Sequence, residues 1–300
     1  MKQNSIIFPF FGNEKLTFSL QRKMGSELGK IKIHQFPDEE ILIEIKSDVR
    51  NRIVLLVANL ARPNSKILPL IFAAKTAQSL GAAKIILLAP YLPYMRQDKI
   101  FNPGEGITSA YFAQLISSSF DRLITVDPHL HRWNHLNSIY TIPYKVLHAS
   151  NDIALWIHKH VSMPLLIGPD SESAQWIEEI AKKTKAPFTI LLKNRQNAEH
   201  VEISLPELNQ YATNTPVLID DIISTGGTML ETLKHLNQVK MAPAVCIGIH
   251  GIFSGNAYQK LLDYHPAQII TCNTIPHKSN KIDISQLVFD YLHQWKDINE

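Results

Sequence analysis

Short apolar runs rich in β-branched residues recur along this chain, and amphipathic stretches of helical period separate them. The first series has strand-like segments at residues 53–57, 85–88 and 123–126, with helical periods at 67–80 and near 110–116. An uninterrupted apolar run suits a strand buried on both faces, and strands alternating with helices pair in parallel through crossovers. A second series follows, with strand-like segments at 165–168, 188–192, 217–219, 245–250 and 269–272 and helical stretches at 173–183, 226–236 and 256–262. The pattern predicts an α/β chain of two mainly parallel sheets, each flanked by helices. Residues 142–150 are the expected changeover, because Pro143 and a weak helical period mark a connection. Domains at 1–145 and 146–284 follow, and residues 285–295 form a last amphipathic helix with Ser285 as its N-cap.

A single core seldom grows past about 250–300 residues, so 300 residues favour two domains. A hydrophobic share of 45% with 19% charged residues supports packed cores and excludes extended disorder. No apolar run approaches the roughly 18–20 residues that span a bilayer, and residues 1–4 do not open a secretory signal, so neither is expected. Cys246 and Cys272 lie in apolar strand-like runs and are read as buried free thiols of a protein in a reducing cytoplasm. A net charge of +3 does not argue for a nucleic-acid partner, and the cluster Lys182, Lys183, Lys185 reads as a solvated helix end. The thirteen histidines include no HExxH or finger spacing.

The segment 217–231 carries the most chemistry. An apolar strand ends in Asp220 and Asp221 and passes through Ser224, Thr225, Gly226, Gly227 and Thr228 into a helix. Glycines let backbone N–H groups approach an anion, hydroxyls add donors, and the helix N-terminus adds a favourable dipole. The two carboxylates would repel a bare phosphate, yet they suit the hydroxyls of a sugar beside it. A phosphorylated ribose satisfies both halves of the motif, against the plainer alternative of a tight turn with exposed acids. The stretch resembles the signature that binds phosphoribosyl diphosphate (PRPP) in type I phosphoribosyltransferases, and its form from Asp220 to Thr228 is similar to that of PRPP synthetases. Taken alone it does not separate a synthetase from a transferase that consumes PRPP.

Further segments resemble the synthetases in register. Phe36, Pro37, Asp38 and Glu40 are similar to an element that reaches the adenine of ATP, with Glu39 where the family usually has glycine. Arg96, Gln97 and Asp98, after Pro90, Tyr91 and Tyr94, resemble a synthetase signature that transferases do not need; such residues pair with phosphate and read polar edges of a nucleotide. Asp127, Pro128 and His129 resemble a metal and ATP-phosphate element, which ranks His129 above His131 and His135. Asp170 matches an acid that serves a second metal or the ribose phosphate, although Ser171, Glu172 and Ser173 replace the usual paired glycines. Lys193 and Arg195 match the cations of a catalytic flap, and the segments after His250 and Thr271 are similar to the family's tail.

Together these resemblances imply a ribose-phosphate diphosphokinase that moves the diphosphate of ATP to the 1-hydroxyl of ribose 5-phosphate. They imply two phosphoribosyltransferase-like domains, with residues 285–300 returning to the first. They also imply magnesium held through His129 and Asp170, a homo-oligomer, and no nucleic-acid or membrane partner. A PRPP-consuming phosphoribosyltransferase and a non-catalytic regulatory subunit are the competing expectations.

Overall fold

Strands as apolar as residues 53–58 must be covered on both faces, and the topology supplies that cover with crossover helices. The computed structural model describes residues 4–130, 133, 135–169, 173–197, 200–204 and 208–294. The chain divides into two compact units: Met1–Leu147 with Thr274–Pro276 and Ser285–Glu300, and His148–Asn273 with Ile284 closing the second piece that starts at His277.

The first unit runs through β1 (Ser5–Phe10), α1 (Glu14–Met24), β2 (Glu27–Leu28), a hairpin of β3 (Ile31–Gln35) and β4 (Ile41–Ile45), then β5 (Ile53–Ala58) and α2 (Asn64–Ser79). It continues with β6 (Lys84–Leu88), α3 (Thr108–Ser117), β7 (Arg122–Val126) and β8 (Tyr144–Leu147). The second unit has α4 (Ser150–His160), β9 (Pro164–Gly168), α5 (Ala174–Thr184), β10 (Phe188–Ile190) and a ribbon of β11 (Leu192–Asn197) and β12 (His200–Ser204). It is completed by β13 (Thr215–Ile223), α6 (Gly227–Gln238), β14 (Val245–Gly251), α7 (Ala257–Leu262), β15 (Gln268–Cys272) and β16 (Asn280–Ile282), before α8 (Ser285–Gln294) ends the described chain.

Among the described residues each unit has one six-stranded parallel sheet, ordered β2-β1-β5-β6-β7-β8 in the first and β10-β9-β13-β14-β15-β16 in the second. The orders correspond strand for strand, and the hairpin β3–β4 occupies the same slot as the ribbon β11–β12. In both sheets the winding reverses direction after the first crossover, between β1 and β5 and between β9 and β13. Loops leaving such a reversal diverge and open a crevice at the carboxyl edge, where parallel α/β sheets place ligands.

The cores follow the strands. Phe8, Phe10, Leu56 and Leu87 pack with Leu70 and Ile116 in the first unit, and Leu165, Ile167 and Leu218 with Leu233 and Leu261 in the second. Cys246 and Cys272 are buried and form no disulfide, as expected, and burial pushes the Cys246 thiol up to about 12. Lys183 near the end of α5 pairs with Glu179 and Ser150. No helix among the described residues is long and apolar enough to cross a membrane.

Three details correct the sequence reading. The stretch 142–150 is not only a connection: it contains β8, an edge strand paired in parallel with Leu123–Val126, and the start of α4. Pro143 stands just before the strand, where a missing N–H costs no ladder bond, and its carbonyl accepts from Leu123 N. The run 188–192 is not one strand, since β10 stops at Ile190 and the antiparallel ribbon starts at Leu192. The strand at 217 does not end at the two acids; it continues to Ile223, with Asp220 opposite Gly248 and Ile222 opposite His250. Ser285 opens α8 and accepts a hydrogen bond from the Ser19 hydroxyl of α1 at 2.9 Å, while Arg122 donates to Tyr291 at 3.0 Å. The last helix is thereby docked in the first unit.

Candidate active site

The junction of β13 and α6 assembles Asp220, Asp221, Ser224, Thr225, Gly226, Gly227 and Thr228 on one strand-to-helix turn. Both aspartates are half-buried, and Asp221 N donates to Asp220 Oδ1 at 3.0 Å, which fixes one carboxylate against the backbone. Gly226 caps α6 in the left-handed conformation with φ 76°. A Cβ there would meet Leu261 at 3.4 Å, an ordinary van der Waals contact, so the backbone conformation is what favours glycine. At Gly227 a Cβ would meet only the Thr225 hydroxyl at 3.8 Å, and the position is exposed. Gly226 therefore shapes the turn, while Gly227 leaves its outer surface bare for an incoming group. No acid stands in the first turn of α6, so the positive end of its dipole is not neutralised from within the helix.

The turn is supported from below. Ser254 N donates to Ser224 O at 2.9 Å, the two serine hydroxyls lie 3.2 Å apart, and Phe253 N donates to Ile223 O at 3.0 Å.

In the first unit the loop after β6 presents Arg96 to solvent and half-buries Gln97. Asp98, by contrast, is 4% exposed, so its carboxylate faces the protein and Arg96 and Gln97 are the members of that trio open to a ligand. The Gln97 amide donates to Glu105 at 3.0 Å and to the Lys99 carbonyl at 3.2 Å. His129, partly buried, follows β7, the hydrogen-bonded neighbour of β6. Phe36, Asp38 and Glu40 sit together in the β3–β4 turn, where Glu39 N donates to Phe36 O at 3.0 Å and Phe36 N to Glu40 O at 2.8 Å. Pro37 pre-sets the first corner, and Asp38 Oδ1 accepts from Glu40 N at 3.2 Å. Phe36 is exposed, with His34 edge-on at 4.8 Å, and so offers a ring face for stacking.

Residues 5–119 match the model of the N-terminal domain of ribose phosphate pyrophosphokinase, and residues 136–286 match the phosphoribosyl transferase domain. The ribose-phosphate pyrophosphokinase of Saccharolobus solfataricus is 30% identical over 90% of this chain and 94% of its own length. That of Sulfurisphaera tokodaii is 29% identical over 89% and 91%. The chain belongs to the ribose-phosphate pyrophosphokinase family. It is thus an enzyme of the diphosphotransferase type. The crystal structure of phosphoribosylpyrophosphate synthetase from Mycobacterium smegmatis shares the fold, with a TM-score of 0.84 over 97% of this chain and 98% of that one at 21% identity.

Within this ribose-phosphate pyrophosphokinase fold, Glu39 takes φ 69°, the conformation glycine adopts freely. The replacement of the family's usual glycine therefore leaves a left-handed turn in place, at a local cost of about 1 kcal/mol or more. Lys193 and Arg195 lie two positions apart on β11, opposite Ile203 and Val201, with a register shift following Arg195. They are part of a two-stranded β-ribbon. Asp170 and His131 lie outside the described residues.

Glu105 was not singled out by sequence reasoning, although it organises the Arg96–Gln97 loop. It accepts from Phe101 N at 2.8 Å, from the Asn102 amide at 2.6 Å and from Gln97. Its only sequence signal is an acid between Gly104 and Gly106 in a loop. The Asn102 amide first, then the Phe101 and Asn102 N–H groups, hold its carboxyl down at about 2.

Among the described residues no group of three or more His, Cys, Asp or Glu forms a ready metal cage. A magnesium ion that keeps several waters and rides on substrate phosphates needs only one or two carboxylates from the protein. A carboxylate such as Asp170 fits that chemistry, and the imidazole of His129 is the softer donor of the pair.

Two outcomes are expected. Because its folded-state pKa is depressed, Glu105 supports the 97–105 loop fully above pH 4.5 and loses that effect as pH falls toward about 2. Glu105→Gln should abolish this pH dependence in the Gln97 side-chain amide resonance and raise the KM for ATP several-fold. Gly226→Ala should cost about 1–2 kcal/mol from the left-handed strain and raise the KM for ribose 5-phosphate by about tenfold, read by denaturant unfolding and steady-state kinetics.

Proposed function

We propose that this chain transfers the diphosphate of ATP to the 1-hydroxyl of ribose 5-phosphate, yielding PRPP and AMP for nucleotide biosynthesis. The junction of β13 and α6 carries the reading: paired carboxylates run directly into a glycine-capped helix N-terminus with no acid in its first turn. A phosphorylated pentose uses both features at once. Its phosphate sits on residues 224–228, with its 2- and 3-hydroxyls on Asp220 and Asp221.

The first unit takes ATP and the second takes the sugar phosphate. Phe36 stacks on the base, Asp38 and Glu40 accept from it, and Arg96 and Gln97 read the nucleotide. Asp98 acts from behind by holding that loop. The 1-oxygen of the ribose attacks the β-phosphorus as its proton passes to solvent; the bond from that phosphorus to the α,β-bridging oxygen breaks, and AMP departs with the bridging oxygen. Lys193 and Arg195 neutralise the charge on the transferring group, and positioning supplies most of the remaining rate. A magnesium ion held through His129 and Asp170 would add charge neutralisation on the diphosphate.

The chain works as a homo-oligomer in the cytoplasm. Ile33 and Leu42 of the hairpin and Leu68, Phe72 and Leu80 on or beside α2 are large apolar side chains left exposed, which favours association of copies. Two buried cysteines that form no disulfide suit a reducing compartment.

Incubation with ATP, magnesium and ribose 5-phosphate should release AMP and PRPP in equal amounts. Consumption of PRPP with a nucleobase instead would favour the transferase, and absence of turnover would favour the regulatory subunit. Lys193→Ala should lower kcat by about 100-fold or more with the circular dichroism spectrum unchanged; full activity would remove Lys193 from the transfer step.

A further inference from the structure

The phosphate turn rests on a loop that is itself held by three mutually touching rings. Residues 252–255 follow β14, and their backbone grips the start of the turn through Ile252, Phe253 and Ser254, which donate to Ile223 O or Ser224 O at 2.9–3.0 Å. Phe253 is buried and has φ 46°, so its backbone is strained and something must fix it there. Its ring lies 4.5 Å from His277 and 5.0 Å from Tyr258, and Tyr258 lies 4.7 Å from His277. Tyr258 starts from α7, whose Leu261 also packs beneath Gly226. Both ends of the turn therefore rest on the same small platform.

His277 is anchored from outside the platform. Its Nδ1 accepts from Ser279 N at 3.2 Å and lies 2.7 Å from the Ser279 hydroxyl, which is 2.7 Å from Thr271 Oγ1 on β15. Its backbone N–H donates to Asn280 Oδ1 at 2.8 Å, and Asn280 donates back to Cys272 O and Thr271. An acceptor Nδ1 means a neutral imidazole protonated on Nε2. Burial first, and then the Lys278 charge, lower its pKa in the same direction. The Lys278 ammonium lies 4.5 Å over the Tyr258 ring and covers the outer side of the cluster.

We propose that His277 and Phe253 are positioning residues for ribose 5-phosphate: their packed rings set residues 252–255, which set Ser224 and so the phosphate turn. The proposal rests on the reading of that turn as the sugar-phosphate site. Neither residue touches the ligand; both act through Ser254 and Ser224. A small displacement of a binding turn is enough to cost an order of magnitude or more.

The full-length enzyme with His277→Ala is the test, measured for ribose 5-phosphate binding by calorimetry, for KM of each substrate and kcat, and for melting temperature. The expected result is affinity for ribose 5-phosphate about tenfold weaker, a matching rise in its KM, and KM for ATP within about twofold of wild type. His277→Phe, which keeps a ring against Phe253 and Tyr258, should restore most of the affinity. Unchanged ribose 5-phosphate affinity in folded His277→Ala, or equal losses for both substrates, overturns the proposal. Should that variant fail to fold, Phe253→Leu is judged by the same criteria. Calorimetry does not depend on turnover, so a wild-type chain that binds ribose 5-phosphate but releases no AMP would defeat the proposed reaction and leave this assignment to be decided by its own binding arms.

Discussion

Parallel pairing is the constraint from which the rest follows. Parallel neighbours cannot be joined by a tight turn, so each pair needs a crossover that covers a sheet face, and strands such as β5 and β14 are buried along their whole length. With both faces covered, polar chemistry is driven to the ends of the strands. The reversal of winding between β1 and β5, repeated between β9 and β13, then selects one place on each carboxyl edge where loops diverge. In the second unit that place carries the β13–α6 turn, proposed above as the sugar-phosphate site. The same slot in both units also holds an inserted two-stranded element, bearing Phe36 in one and Lys193 with Arg195 in the other.

The turn at Gly226 balances opposed charges at close range. Asp220 and Asp221 raise the cost of an anion nearby, while the open end of α6, the backbone N–H groups and the hydroxyls lower it. A free phosphate meets both effects; a sugar phosphate separates them by placing hydroxyls on the acids and the anion on the helix. On the proposed reading, selectivity for a phosphorylated pentose arises from spacing along a single strand-to-helix junction, and the turn has to be held still for that spacing to count. Leu261 under Gly226 and Ser254 under Ser224 hold it.

Much of this was legible in the chain because it rested on local signals. The apolar runs located the sheet strands at 53, 85, 123, 165, 217, 245 and 269, and the contiguous acids, glycines and hydroxyls located the turn. What escaped was mostly non-local, apart from β1, whose apolar run at residues 6–10 is interrupted by Pro9. β8 is short, half-exposed and preceded by proline, so only its pairing with β7 reveals it. The ribbon at Leu192 is specified by its partner β12, not by its own pattern. Glu105 matters through three donors converging from the same loop, and His277 through rings brought in from Phe253 and Tyr258; no spacing rule marks either. Asp98 shows the converse, a motif residue that the fold buries.

In the proposed reaction the two units bind different halves of the chemistry, sugar phosphate on the second and nucleotide on the first. Residue-resolved amide hydrogen exchange on the full chain, with each ligand added separately, tests it directly. Ribose 5-phosphate should slow exchange at residues 224–228 and leave 36–40 and 96–105 unchanged, while a non-hydrolysable ATP analogue with magnesium should do the reverse. Protection of the first-unit loops by ribose 5-phosphate, or none at residues 224–228, would contradict the account.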